Sequence, residues 1–450
     1  MGKAQPQVIE DDEHQQAYQR VAAVDVAKAA GMVCTRLPGK NGRPRASRVW
    51  EVTATMGAVT ELGRQLARDK IEMVTLEATS DYWRIWYYVL EMCGLAVQLV
   101  SPDQARNLKG RPKTDKLDAM WLARLTEWGM LRPCFVPPAP IRALRDWTRA
   151  RADLVRERTR CWQRLEKLLE GALIKLSAVA SKLTTKSAQA MIAALIAGER
   201  DPRVLAGLAR GRMAAKREAL TEALDGMFDS HHGELAQLEL DQIAFLDTRI
   251  SQLDDRIEET LAEIPASWGI DADGTTGPCA GTGPQAAVLP AVARLAEIPG
   301  ISLETAASII AETSLDMTRF ATAAHLVSWA GLCPVASQSG PRHRANRKGH
   351  GNTYLRGLLG QAATAASHTD TFLSERYRRV ARRRGKARAQ VAVARSILII
   401  IWHLLADPAA RYTDLGPHYV ASRTNRDKKI RSHIHQLEAT GLQVTITPAA

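Results

Sequence analysis

The hydrophobic period changes once along this 450-residue chain, at the proline-rich run PCFVPPAP spanning Pro133–Pro140. Proline cannot donate to a helix or sheet ladder, so such a run separates two regimes. Before it, short apolar runs alternate with amphipathic segments. Strands are expected at Val21–Val26, Gly31–Arg36, Arg48–Ala54, Ile71–Leu76 and Leu95–Val100, and helices at Met56–Asp69, Asp81–Cys93 and Thr114–Trp128. The order βββαβαβα predicts a mixed α/β layer with one central sheet over 20–132, behind a polar N-terminus at 1–19. After the prolines the period is helical. Leu144, Trp147, Leu154, Cys161, Leu165, Leu168, Ala172 and Leu176 recur at steps of three, four or seven residues, and Leu235, Leu238, Gln242, Phe245, Ile250, Leu253, Ile257, Leu261 and Ile264 recur at steps of three or four with one step of five. Two long helices with charged outer faces predict a coiled-coil-like arm over 140–266, with 178–232 between them left without an assigned order. A Gly-, Thr- and Pro-rich linker at 267–290, a mostly helical domain at 291–410 and a basic, polar tail at 411–450 complete the reading.

Charge narrows the function classes. Lys and Arg total 61 against 48 Asp and Glu, a formal +13. Residues 341–450 carry 20 basic against 6 acidic side chains, so the rest of the chain is close to neutral and the excess belongs to the last quarter. Arg378, Arg379, Arg382, Arg383, Arg384, Lys386 and Arg388 fall within eleven residues, a density suited to a phosphate backbone, although a basic run also serves as a solvated helix face. Six scattered cysteines form no CxxC pair, which predicts reduced thiols in a cytoplasmic protein. No apolar leader opens the chain, and its most apolar stretch, Val391–Ala406, is short for a bilayer and contains Arg395 and His403. Secreted and membrane classes are excluded on that reading.

Four carboxylates are placed where structure alone has little use for them. Asp25 interrupts the apolar strand VAAVDVAK, where a lone charge is expensive. Glu77 ends the fourth strand. Asp115 and Asp118 lie three apart at the head of a helix and share a face. If the first and fourth strands are neighbours, these elements converge on one sheet edge. Converging carboxylates repel and call for a divalent cation, and oxygen-only ligands select Mg²⁺ or Mn²⁺. Two such ions suit displacement at phosphorus, and Lys28, Arg111, Lys113 and Lys116 stand beside the acids as phosphate contacts. Taken singly, each helix-start Asp also reads as a cap.

A second motif lies at Ser337-Gln338-Ser339-Gly340, with Arg342, His343, Arg344, Arg347 and Lys348 after it and Asn352 and Arg356 beyond. A serine hydroxyl attacking phosphorus needs cations to stabilise the pentavalent transition state. As a bare motif it is an ordinary turn. Upstream, Ile298-Pro299-Gly300-Ile301-Ser302 has the form of a helix–hairpin–helix turn that offers backbone amides to phosphate, or of a plain helix–helix corner.

Together, VDVAK, LEATSDYW and KTDKLDA in the first region and IPGIS, TRFATAAHLVSWAGLCP, SQSG and GNTYLR in the last resemble the IS110/IS1111 family of insertion-sequence transposases. The resemblance covers roughly 20–130 and 290–370, in the family's order. It implies a RuvC-like, RNase H-type first domain, and it matches Asp25, Glu77, Asp115 and Asp118 to the DEDD acids. Ser339 matches the nucleophilic serine, with Ser337 as the alternative, and Pro341 departs from the frequent SGG. It further implies a tetramer that joins the acidic site of one subunit to the serine of another, and a structured guide RNA, encoded by the element, that pairs with double-stranded donor and target DNA. The expected activity is Mg²⁺-dependent strand exchange through a phosphoserine link. The alternatives are a Holliday-junction-type nuclease in which water attacks, and a non-catalytic nucleic-acid-binding scaffold.

Overall fold

The computed structural model describes residues 17–39, 45–102, 114–268, 289–333, 338, 339, 342, 343, 351–419, 422 and 426–445. The chain forms two bodies, residues 1–136 and 137–450.

The first body is built on a five-stranded sheet. Strands β1 (Val21–Val26), β2 (Ala30–Leu37) and β3 (Ala46–Thr53) form an antiparallel meander, and β4 (Met73–Glu77) and β5 (Val97–Val100) run parallel to β1, in the order β3-β2-β1-β4-β5. Helices α1 (Met56–Arg68) and α2 (Trp83–Met92) make the two connections that parallel pairing demands. Because side chains alternate along a strand, the sheet has two distinct faces. Ala22, Val24, Val26, Val33, Val74 and Leu76 pack with Val59, Leu62, Leu66, Trp86 and Leu90 from α1 and α2. Ala23, Cys34 and Val100 pack instead under Ala119, Leu122, Ala123 and Leu125 of α3 (Asp115–Glu127).

Helix α3 is pinned from its C-terminal end. Thr126 Oγ1 donates to Thr75 Oγ1 at 2.7 Å, and the buried carboxylate of Glu127 takes Arg36 Nε at 2.6 Å and Arg45 Nε at 3.1 Å. A buried carboxylate requires such cations. With that end fixed, the head of α3 projects over the carboxyl ends of β1 and β4.

Among the described residues the second body is helical, apart from one short hairpin. Helix α4 (Ala139–Gly171) starts immediately after Pro137 and Pro138 and carries Pro140 in its first turn, where a missing N–H costs little. Helices α5 (Leu176–Val179), α6 (Lys186–Ile196), α7 (Pro202–Gly207) and α8 (Arg217–Ala223) come next, and the chain returns along α4 as α9 (Ser230–Ala262). The segment whose order the periodicity left open is thus a compact cap, with Leu165, Leu169, Leu176, Met191, Ile192, Leu205, Leu220 and Phe228 in one core. Along the pair, Cys161 packs with Ile243 and Leu246, and Arg164 Nε meets Glu239 at 2.7 Å.

The pair is joined to the C-terminal helices. These are α10 (Ala291–Ala296), α11 (Leu303–Thr313), α12 (Ala323–Trp329), α13 (Thr353–Ala366), α14 (Phe372–Arg384), α15 (Lys386–Ala406) and α16 (Arg426–Glu438), with strands β6 (Gln338–Ser339) and β7 (Arg342–His343) between α12 and α13. Glu312 of α11, 1% exposed, receives Arg149 of α4 in two bonds of 2.7 and 2.9 Å and the side-chain amide of Asn352, the cap of α13. Arg145 of α4 donates to the carbonyls of Ala311 and Glu312 at 2.9 and 2.8 Å. The expected arm and the expected C-terminal domain are accordingly one body.

Helix α15 extends the apolar stretch to 21 residues, long and apolar enough to cross a membrane by length and composition. The expectation that this stretch is too short is corrected by the helix starting at Lys386, although the helix packs in the core of this body through Val393, Ile397, Leu398, Ile401 and Leu404.

Candidate active site

The register of the sheet assembles the acids. Val24 pairs with Leu76 across parallel strands, so Asp25 and Glu77 lie one residue further on at the same level of neighbouring strands. Asp25 is two residues from Ala23, and Glu77 two from Thr75, both on the face that α3 covers. In the antiparallel direction Asp25 pairs with Met32 and Met32 with Glu51, which puts Glu51 in the same cross-strand row. Thr114 caps α3, its hydroxyl accepting from Leu117 N–H at 3.4 Å, so that Asp115 and Asp118 stand on the first turns, over that row.

Asp25, Glu51, Glu77, Asp115 and Asp118, with Thr79, line a single cavity of about 310 Å³. Asp25, Glu77 and Asp118 are half-buried, and Asp115 and Glu51 exposed. Five carboxylates and a hydroxyl are an oxygen-only donor set on a partly dry wall, which fits a hard divalent cation such as Mg²⁺ or Mn²⁺. The helix N-terminus adds its positive end and tempers the repulsion among the acids. Glu51 escaped the sequence reading because nothing local marks it. It follows Val49 on the same face of an ordinary edge strand, and only the pairing of three strands brings it into the row of Asp25.

Among the described residues, the metal-ligating side chains that draw their donor atoms within 4.8 Å of one another are Asp229, His231 and His232, at the start of α9. There Asp229 is occupied as the helix cap: its carboxylate accepts from His232 N–H at 3.2 Å and lies against both imidazoles, and the His232 N–H holds it below its ordinary range. The cavity acids are set more widely.

These placements coincide with a family assignment. A family model described as an IS110 DEDD transposase matches residues 22–174, and a second, described as transposase IS116/IS110/IS902 family, matches residues 292–378, together more than half of the chain. The chain belongs to the IS110 family of transposases. An insertion element IS110 uncharacterized 43.6 kDa protein of Streptomyces coelicolor is 34% identical over 116 residues, 25% of this chain and 28% of that protein. A Thermus thermophilus RuvC structure in complex with a Holliday junction substrate is similar over 26% of this chain and 100% of its own, at 14% identity and a TM-score of 0.20.

The other candidate residues of this IS110-family chain are spread over both bodies. Lys28 and Lys116 are exposed beside the cavity, and Arg111 and Lys113 lie outside the described residues. Ser339 ends β6, paired with Arg342 at the start of β7. Ser337, Arg344, Arg347 and Lys348 lie outside the described residues. Asn352 caps α13, accepting from Leu355 N–H at 3.1 Å while its amide holds Glu312, and Arg356 is half-buried on the same helix. Arg378 donates to Ser374 Oγ at 3.2 and 2.8 Å, Arg379 is half-buried, and Arg382, Arg383, Arg384, Lys386 and Arg388 are exposed at the tip of the α14–α15 hairpin. The IPGIS turn is a tight helix corner. Gly300 has φ +89°, and a Cβ there would stand 2.3 Å from the Ala362 carbonyl oxygen, while Ser302 caps α11.

Proposed function

We propose that this chain is the DNA transposase of an insertion sequence, which cuts and rejoins strands by phosphoryl transfer at the acidic cavity, with Ser339 as nucleophile. The observation that carries the reading is the convergence of Asp25, Glu77, Asp115 and Asp118 on one cavity from β1, β4 and α3. In that reading the carboxylates would hold two Mg²⁺ or Mn²⁺ ions, which when bound supply Lewis-acid polarisation of the scissile phosphoryl group. Asp25 and Glu77 form the floor, and Asp115 and Asp118 close it from the helix. Lys28 and Lys116, both exposed, steer the backbone phosphates flanking the scissile one.

In the chemical step, Ser339 Oγ loses its proton to water and bonds to phosphorus, and the P–O3′ bond breaks as the leaving O3′ takes a proton from water to become a 3′-hydroxyl. A 3′-hydroxyl of the partner strand then attacks the phosphoserine, and Ser339 Oγ leaves and is reprotonated. One phosphoester replaces another, so no ATP is consumed. Double-stranded DNA, a structured guide RNA and a tetramer in which the acids of one subunit meet the serine of another belong to the same proposal. Family membership and the basic C-terminal quarter support it.

Adduct trapping tests it. The tagged protein is expressed with its native locus and both flanking non-coding ends, denatured in SDS and digested with nuclease. Mass spectrometry should then find nucleotide phosphate on Ser339, and none in Ser339→Ala. Asp25→Asn and Asp118→Asn should abolish cleavage with little loss of nucleic-acid binding. If cleavage persists in Ser339→Ala, the water-attack nuclease replaces this reading; if it persists in both Asn variants, the acidic cavity loses its role.

A further inference from the structure

Most buried and half-buried arginines of the second body are matched by acceptors. Arg145 and Arg149 have Glu312, Arg151 has Asp254, and Arg294 donates to the carbonyls of Leu404 and Asp407. Arg376 differs. It is half-buried on α14, its Nε is buried without a hydrogen-bond acceptor, and among the described residues no carboxylate lies within ion-pair distance of it. Its charged neighbours are the guanidiniums of Arg379, one turn further along α14, and Arg395 on α15. The hairpin turns at Gly385, φ +83°, nine residues after Arg376 and ten before Arg395, which brings the two to the same level of the antiparallel pair. Burial, and then these two neighbours, depress the Arg376 guanidinium below its ordinary range.

A half-buried cation whose Nε has no acceptor, facing two others, is costly unless something anionic joins it. Arg376 and Arg379 are half-buried and Arg395 is exposed, so the three guanidiniums are open to an anion from solvent. We propose that Arg376, Arg379 and Arg395 form a phosphate-binding site that grips the backbone of a bound nucleic acid. The guanidinium fork matches the two non-bridging oxygens of a phosphodiester. Arg382, Arg383 and Arg384 continue the positive strip to the hairpin tip, as a row of backbone phosphates requires and a single small anion does not. Arg378 is turned elsewhere, to Ser374 and Asp370. The inference rests on the reading of this chain as a nucleic-acid enzyme and adds Arg376 and Arg395, which the basic run itself does not include.

The test uses the full chain in EDTA, so that binding is measured without cleavage. Fluorescein-labelled duplex DNA and, separately, a hairpin RNA are titrated against wild type, Arg376→Gln and Arg376→Lys over a salt series, with a thermal melt of each free protein. Arg376→Gln should bind several-fold more weakly and lose about 0.9 from the salt slope on duplex DNA. Its free-protein Tm should be unchanged or higher, because an uncompensated charge has been removed. Arg376→Lys, which keeps the charge and loses the fork, should fall between. A loss confined to one probe identifies DNA or RNA as the source of the phosphate. Unchanged affinity and slope on both probes would overturn the site, and so would a lower Tm in the Gln variant, which would make Arg376 a folding residue. Because Asp25→Asn should leave this slope untouched, failure of the strand-transfer reading and failure of this site give different results.

Discussion

Asp25 and Glu77 sit at one level of adjacent strands, a few ångströms apart by the spacing of parallel neighbours, on the half-buried side of the sheet. Like charges so placed destabilise the fold until a cation joins them. Asp25→Asn should therefore raise the Tm of the metal-free protein by about 2 °C or more and remove the further rise that Mg²⁺ gives wild type, read by melts in EDTA and in excess Mg²⁺. A metal-free Tm that falls would show Asp25 to be held by fold contacts instead. Glu51, exposed and two strands away, should matter less: Glu51→Gln is expected to weaken the Mg²⁺-induced shift several-fold in concentration dependence without abolishing it. Cys34, beneath α3 on the same face, is pushed up to about 11 by burial, so at pH 8 almost none of it is thiolate. Iodoacetamide at pH 8 should label Cys34 in the unfolded chain and spare it in the native one.

At the scale of elements, the geometry of the cavity depends on contacts made well away from it. Thr126–Thr75 and Glu127 with Arg36 and Arg45 hold the far end of α3, and the rigid helix transmits that position to Asp115 and Asp118. In the second body Glu312 has the equivalent role, joining α4, α11 and α13 through Arg149 and Asn352. Glu312→Gln leaves Arg149 with a neutral partner and should cost about 3 kcal/mol, measured by urea unfolding. The corner at Gly300 is as demanding. Its left-handed φ and the Ala362 carbonyl oxygen, which an added Cβ would overlap, leave no room for a methyl group, so Gly300→Ala should destabilise the second body by more than the roughly 1 kcal/mol of an ordinary helix-interior exchange. A variant as stable as wild type would mean that the corner relaxes.

At the scale of the whole molecule, charge is segregated: an excess of 14 basic side chains lies after residue 340, and the remainder is near neutral. Neutralising Arg382, Arg383 and Arg384 together should lower the salt slope of nucleic-acid binding by about 2–3, and an unchanged slope would take the hairpin tip off the nucleic-acid path. This segregation is legible from composition, because charge is additive along a chain. The order of strands and helices in the first body, the existence of the long helix pair and the four acids are legible too, because hydrophobic period and motif spacing are local properties. Element ends were less so: β5 starts at Val97 rather than Leu95, and α2 at Trp83 rather than Asp81. The features that only the tertiary structure decided depend on partners distant in sequence. Glu51 joins the acids through the register of three strands, and 178–232 becomes a cap through a shared core. The helix pair merges with the C-terminal helices through Glu312, and Arg376 is set apart because its buried Nε has no acceptor. Each is a fact about which side chains meet, and a one-dimensional pattern carries the period of a face without naming what lies opposite.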